Sequence, residues 1–130
     1  VTALWIPAAH KGAQLQGSLA FLDAGPALAR IEFYDGTPPS GGGAATNLLA
    51  VMPLADPAGS VIDNALVLAV PRSGLVLLDG VCTWARAFNG DGAIWADGLC
   101  TDEAGAGPFK LETTSLLAGG LVRLTSAVFT

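Results

Sequence analysis

CTWARAFNGDGAIWADGLC, residues Cys82–Cys100, decides how this chain is read. Two alternating runs flank Asn89-Gly90-Asp91-Gly92, a turn signal of the kind that joins antiparallel strands. Centring the turn on Gly90-Asp91 sets Arg86 opposite Trp95, Trp84 opposite Asp97 and Cys82 opposite Leu99. Side chains alternate along a strand. Trp84, Arg86, Phe88, Trp95 and Asp97 then share one face, and Thr83, Ala85, Ala87, Ile94 and Ala96 form a small-residue face behind it. In this register Arg86 lies over Trp95, a stacking contact of roughly 0.5–2 kcal/mol. The aromatic face reads as a cross-strand cluster that fixes register, as a protein interface, or as a platform for a sugar ring. No rim of Asn, Asp and Gln converges on it, which favours the first two. The register also points Cys82 and Cys100 to opposite faces, so two free thiols are expected, as suits a reducing cytoplasm.

Outward from the hairpin the same period continues. LARIEFYDG, 28–36, alternates and ends in a turn; LLAVMPL, 48–54, is a short strand with an edge-type Pro53. VIDNALVLAV, GLVLLDGV, FKLET and LVRLTSAVFT read as further strands. TPPSGGGAAT, 37–46, is too rich in Gly and Pro for regular structure and reads as a flexible surface loop. Before all of these lies one helix candidate, in which Leu15, Leu19 and Leu22 recur at i, i+4 and i+7 after Pro7, stopped by Asp23-Ala24-Gly25-Pro26. The expectation is one mainly β domain over residues 1–130, a jelly-roll-like β-sandwich with one N-terminal helix. Residues 1–7 are its arm, 8–24 its helix and 27–130 its sandwich.

Composition narrows the functions. The chain has 130 residues, 52% hydrophobic and only 13% charged, where about 25% charged is usual. Either this is an alanine-rich bias, or partner chains cover part of the surface. A net charge of −5 with six scattered basic residues leaves no footprint for nucleic acid or for an anionic membrane. No apolar run is long enough for a transmembrane helix, and VTALWIPAAHKG does not read as a secretory leader. The single histidine, His10, has no nucleophile beside it. His10, Cys82 and Cys100 lack zinc spacing, and Asn89, Asp91, Asp97 and Asp102 lack the EF-hand pattern. SGGGAAT lacks the Lys-Ser/Thr ending of a phosphate loop. No enzyme, metal or cofactor is expected.

Several motifs in order resemble small virion proteins of tailed bacteriophages, in particular the capsid cementing or decoration proteins of short-tailed phages. They are the helix ending in DAG at Asp23–Gly25, ARIEFYDGTPP, the Gly-Ala loop leading into TNLLA, TWAR at Thr83–Arg86, GDGAIWADG, and TTSLLAGGLVRLTSAVFT over 113–130. The longer glycine run at 39–43 and the two cysteines depart from that pattern. The resemblance implies a jelly-roll-like fold and binding to the outer surface of the capsid, with the major capsid protein and a second copy as partners in a homodimer. It implies a virion location after assembly in the host cytoplasm, and no catalytic residue. Trp5, Ile6, Trp84, Arg86 and Trp95 are the interface candidates. A tail, neck or host-binding component of the virion and a carbohydrate-binding sandwich are the alternatives.

Overall fold

The computed structural model describes residues 5–130, and part of the expected arm, residues 1–4, lies outside them. The helix α1 (Ala8–Asp23) buries Leu15, Leu19 and Leu22, the three leucines on one stripe. Pro7 precedes it in an extended conformation, and its carbonyl accepts the Lys11 N–H at 3.0 Å. At the other end the Asp23 carboxylate accepts the Ala58 N–H at 2.8 Å and ties the helix to the strands.

Eleven strands follow among the described residues: β1 (Arg30–Tyr34), β2 (Leu48–Pro53), β3 (Gly59–Ile62), β4 (Ala65–Leu68), β5 (Arg72–Val76), β6 (Gly80–Val81), β7 (Trp84–Phe88), β8 (Ile94–Asp102), β9 (Phe109–Leu111), β10 (Ser115–Leu116) and β11 (Leu121–Phe129). The fold is mainly β with one N-terminal helix. In place of two facing sheets, the strands form one closed, barrel-like sheet in the order β5-β2-β1-β7-β8-β9-β11 and back to β5. The nine-residue β11 closes it. Leu121–Leu124 pair with β5 on one edge, Leu124–Ala127 pair with β9 on the other, and Val128 and Phe129 run on to β4. A ring of seven strands cannot alternate direction all the way round, and the one parallel pair falls at β8–β9.

The sequence VIDNALVLAV, expected as one strand, is the hairpin β3–β4. Asp63 and Asn64 both take positive φ, 50° and 61°, the geometry of a tight two-residue hairpin turn that Asp and Asn tolerate. This hairpin and α1 pack together at the end of the barrel where β1 begins and β11 finishes. The small β6–β10 ladder lies at the opposite end, between the end of β5 and the start of β7, with Leu116 in the core. The interior is filled by Ile31, Phe33, Ala50, Met52, Phe109, Leu111, Val122 and Leu124. Only part of the expected small-residue face of the β7–β8 hairpin lines the interior: Ala85 stands opposite Gly98 and Ala87 opposite Ala96, while Ile94, beyond the bulge, is exposed and Thr83 bonds to the Gly36 carbonyl. A Cβ on Gly98 would come within 2.8 Å of the Phe109 ring, so that position needs glycine for the aromatic to fit.

Candidate functional site

The β7–β8 hairpin carries the first surface of interest, and its register differs from the expected one. Arg86 stands opposite Asp97 and Trp84 opposite Leu99; Trp95 is an extra residue between the Phe88–Ile94 and Ala87–Ala96 pairs. The reason is the turn. Asn89 is buried, and its side-chain oxygen accepts the N–H groups of Asp91 (3.0 Å) and Ala93 (2.9 Å), while its own N–H reaches the Ala93 carbonyl. The side chain thus builds a loop over Asn89–Ala93 that is longer than a two-residue turn and shifts the pairing by one residue, and the extra Trp95 shifts it by a second. The bulge swings Trp95 away from Arg86. Trp95 donates its Nε1–H to the Ser18 carbonyl of α1 at 3.0 Å and meets the Phe129 ring edge-on at 4.9 Å. Arg86 and Trp95 are therefore not partners.

What Arg86 does instead follows from its neighbours. Ala85 and Ala87 point into the core, so Trp84 and Arg86 point outward, yet Trp84 is fully buried and Arg86 is 5% exposed. Their cover is the glycine-rich segment between β1 and β2. Arg86 holds Asp97 through two bonds, Nε to Oδ1 at 2.7 Å and Nη2 to Oδ2 at 3.0 Å, and Nη2 also donates to the Gly43 carbonyl at 2.9 Å. Trp84 Nε1 donates to the Asp35 carbonyl (3.1 Å) and to Thr46 Oγ1 (3.0 Å). Thr46 in turn donates to the Asp35 carbonyl, the Asp35 carboxylate accepts from Asn47, and Thr83 Oγ1 donates to the Gly36 carbonyl at 2.6 Å. The segment read as a flexible loop has no regular structure, but these bonds fasten it to the barrel.

The cluster continues across β1. Tyr34 stacks on Trp84 with ring centroids 4.6 Å apart, and the Arg86 guanidinium sits 5.2 Å from the Trp84 ring. Glu32 takes the Tyr34 hydroxyl on one oxygen and Arg30 Nε on the other at 2.8 Å, and Arg30 lies 4.2 Å over the Phe88 ring. The bond to Asp97 pushes the Arg86 pKa up, against the opposing effect of burial. Burial, then the bond to Glu32, holds the Tyr34 phenol above its usual range. No buried side-chain nitrogen or oxygen among the described residues lacks a partner. This arrangement can hold a loop; its donors and acceptors are already engaged within the chain.

The second surface lies at the β6–β10 end. Leu75 of β5 and Leu121 of β11 are cross-strand neighbours pointing outward. The turns that follow β5 and precede β11 run side by side: Gly119 N–H reaches the Val76 carbonyl, Val76 N–H the Gly120 carbonyl, and Ala118 N–H the Asp79 carboxylate at 2.7 Å. This brings Leu75, Leu77, Leu78, Val81, Leu117 and Leu121 to one end of the barrel, each between 49% and 71% exposed. Asp79 is the acid among them. Monomeric proteins seldom leave so much aliphatic surface together. These residues were not legible as a site. GLVLL is apolar on both strand faces and reads only as strand, SLL carries no structural reading of its own, and only the contacts between the two turns gather them.

Of the interface candidates, Trp5 is 80% exposed before α1, Ile6 is half-buried, Trp84 and Arg86 are covered within the chain, and Trp95 is half-buried against α1. The structure joins Trp84 with Arg86 and separates both from Trp95.

The cysteines also differ from expectation. Cys82 and Cys100 are free thiols, but both are buried in the same core cluster and do not point to opposite faces. The strand breaks at Cys82–Thr83, between β6 and β7: Cys82 N–H bonds to the Thr114 carbonyl on the β10 side, and Thr83 N–H to the Tyr34 carbonyl of β1. That change of partner turns Cys82 inward.

Among the described residues no group of His, Cys, Asp and Glu gathers as a metal site, and no helix is long and apolar enough to cross a membrane. Comparison with family models, curated proteins and solved structures finds no match to this chain.

Proposed function

We propose that this chain is a structural virion protein that binds the outside of a capsid shell and reinforces it by contact, without turnover. The observation that carries the reading is the exposed aliphatic end formed by Leu75, Leu77, Leu78, Val81, Leu117 and Leu121. A patch on the order of 500 Å² is at the upper end of what monomers leave uncovered. At ~25 cal/mol per Å² its burial is worth on the order of 10 kcal/mol gross. Association costs ~4–15 kcal/mol, so one copy binds modestly. Many copies on a repeating shell act together, which is how a cement works. The sparse charge and the ordered motifs resembling phage cementing proteins support the same reading, and the jelly-roll-like relationship implied by those motifs is part of the proposal.

The carbohydrate-binding alternative needs Trp84 and Trp95 on one open face. Trp84 is fully buried and Trp95 turns to the helix, so the platform that motivated it is missing here.

The test is heat release of DNA from particles that lack the protein. Such particles are expected to assemble but to leak at lower temperature, and added protein should restore them. Protein carrying Leu75→Asp and Leu121→Asp should fold but fail to restore them. Binding should persist in chelator and weaken only modestly with salt. Unchanged heat release from particles lacking the protein would move the assignment to a tail or neck component.

A further inference from the structure

Two buried nucleophiles have no part in the surfaces described above. If β7 were extended regularly backwards, Cys82 would lie on the outer face with Trp84 and Arg86. The break at Cys82–Thr83 puts it inside instead. On the neighbouring strand the Cys100 N–H donates to the Thr83 carbonyl at 3.0 Å, one residue from Cys82. Both side chains enter the same apolar core, at 1% and 6% exposure.

We propose that Cys82 and Cys100 form a redox pair, which the folded barrel can close into a disulfide that staples the start of β7 to β8. With backbones bonded one residue away, both side chains buried in the core and the two thiols near enough to act on each other, the pair is placed for such a bridge. The Cys82 thiol makes only a weak bond of its own, to the Trp84 carbonyl at 3.6 Å. The neighbouring Cys82 thiol, then burial, pushes the Cys100 thiol up and keeps it protonated. Thiols in this state are slow nucleophiles, so the pair stays reduced until an oxidant reaches it through local opening.

The chemistry is thiol–disulfide exchange with a small disulfide such as oxidised glutathione. One cysteine thiolate attacks the oxidant and expels a first glutathione thiol. The second cysteine then attacks the mixed disulfide and expels the other. The S–S bond of the oxidant is reduced to two thiols, and two cysteine S–H bonds become one S–S bond. The link joins the two ends of the hairpin that carries the Arg86–Asp97 clamp. A chain made in a reducing compartment would therefore be locked after release into an oxidising one. This inference does not depend on the capsid reading.

The experiment uses the full chain incubated with oxidised glutathione below its unfolding temperature, with and without mild urea to permit opening. The mass should fall by two hydrogens, a Cys82–Cys100 peptide should appear, and thiols titrated in denaturant should go from two to zero. The oxidised form should unfold roughly 10 °C higher, and dithiothreitol should reverse both changes. Cys82→Ser and Cys100→Ser should each abolish the rise. Two thiols remaining in mild urea, a stable glutathione adduct, linkage only between chains, or a bridged form that unfolds at lower temperature would overturn the proposal.

Discussion

On the outer face of β7 a tryptophan and an arginine point away from the barrel and are nevertheless covered, Trp84 completely and Arg86 to 5% exposure. At the β6–β10 end Leu75, Leu117 and Leu121 are 53–71% exposed. Residue type would assign the two regions the other way round. The difference is in what lies over them. The β1–β2 segment reaches Arg86 and Trp84 with carbonyls and a hydroxyl, so their polar atoms are satisfied without water. Over the leucines the described chain supplies only two short turns. Burial is thus set by the covering segment, and an aliphatic surface with no cover of its own is the one suited to a partner.

The largest effect is expected at Arg86. Arg86→Ala leaves the Asp97 carboxylate and the Gly43 carbonyl without their donor, and should cost about 3 kcal/mol in urea unfolding, given that Asp97 is partly solvated. In an Asp97→Ala background the same change should cost clearly less, because the two residues act as a unit. Equal costs in both backgrounds would mean that the pair does not hold the loop.

Trp84→Phe sharpens the same point. It keeps a ring against Tyr34 but removes the Nε1–H that ties Asp35 and Thr46. A loss of about 1–2 kcal/mol is expected. Amide exchange over residues 36–46 should speed up more than exchange in β11. Uniform acceleration would show that the loop is not a separate unit.

Tyr34→Phe should cost about 1 kcal/mol at neutral pH through the lost bond to Glu32. Its sharper signature is in alkali. The folded phenol titrates above its usual value of about 10, so both states keep the proton below that pH. Above it the unfolded chain loses the proton first, and native stability falls as pH rises toward the folded pKa. The Phe variant should lack this part of the alkaline decline; an identical decline would place its origin elsewhere.

The smallest effect on folding is expected where the change of chemistry is greatest. Leu75→Ser with Leu121→Ser should alter stability by only ~0.5 kcal/mol per site, since both side chains are exposed. Particle binding should fall at least tenfold. A large loss of stability would show that the leucines support the barrel and would erase the contrast with Arg86.

The elements with a local cause were legible. Leu15, Leu19 and Leu22 repeat at helical spacing and are the leucines that α1 buries. The alternation around Asn89–Gly92 announced an antiparallel hairpin, and β7 and β8 form one. Its register was not legible, because the buried Asn89 side chain enlarges the turn and Trp95 bulges out to reach Ser18 of the helix. The same limit applies to VIDNALVLAV, where two left-handed residues fold an apolar run back on itself.

From the sequence alone came the period of each segment, the single helix, the shortage of charge and the mainly β class. These follow from chain-local preferences and from counting. The tertiary structure decided that β11 closes the sheet through both edges, that a Gly-rich segment buries an outward Trp and Arg, that Cys82 turns inward beside Cys100, and that six aliphatic side chains meet at one end. Each depends on which distant segment supplies hydrogen-bond partners or cover, and spacing along the chain carries no record of that.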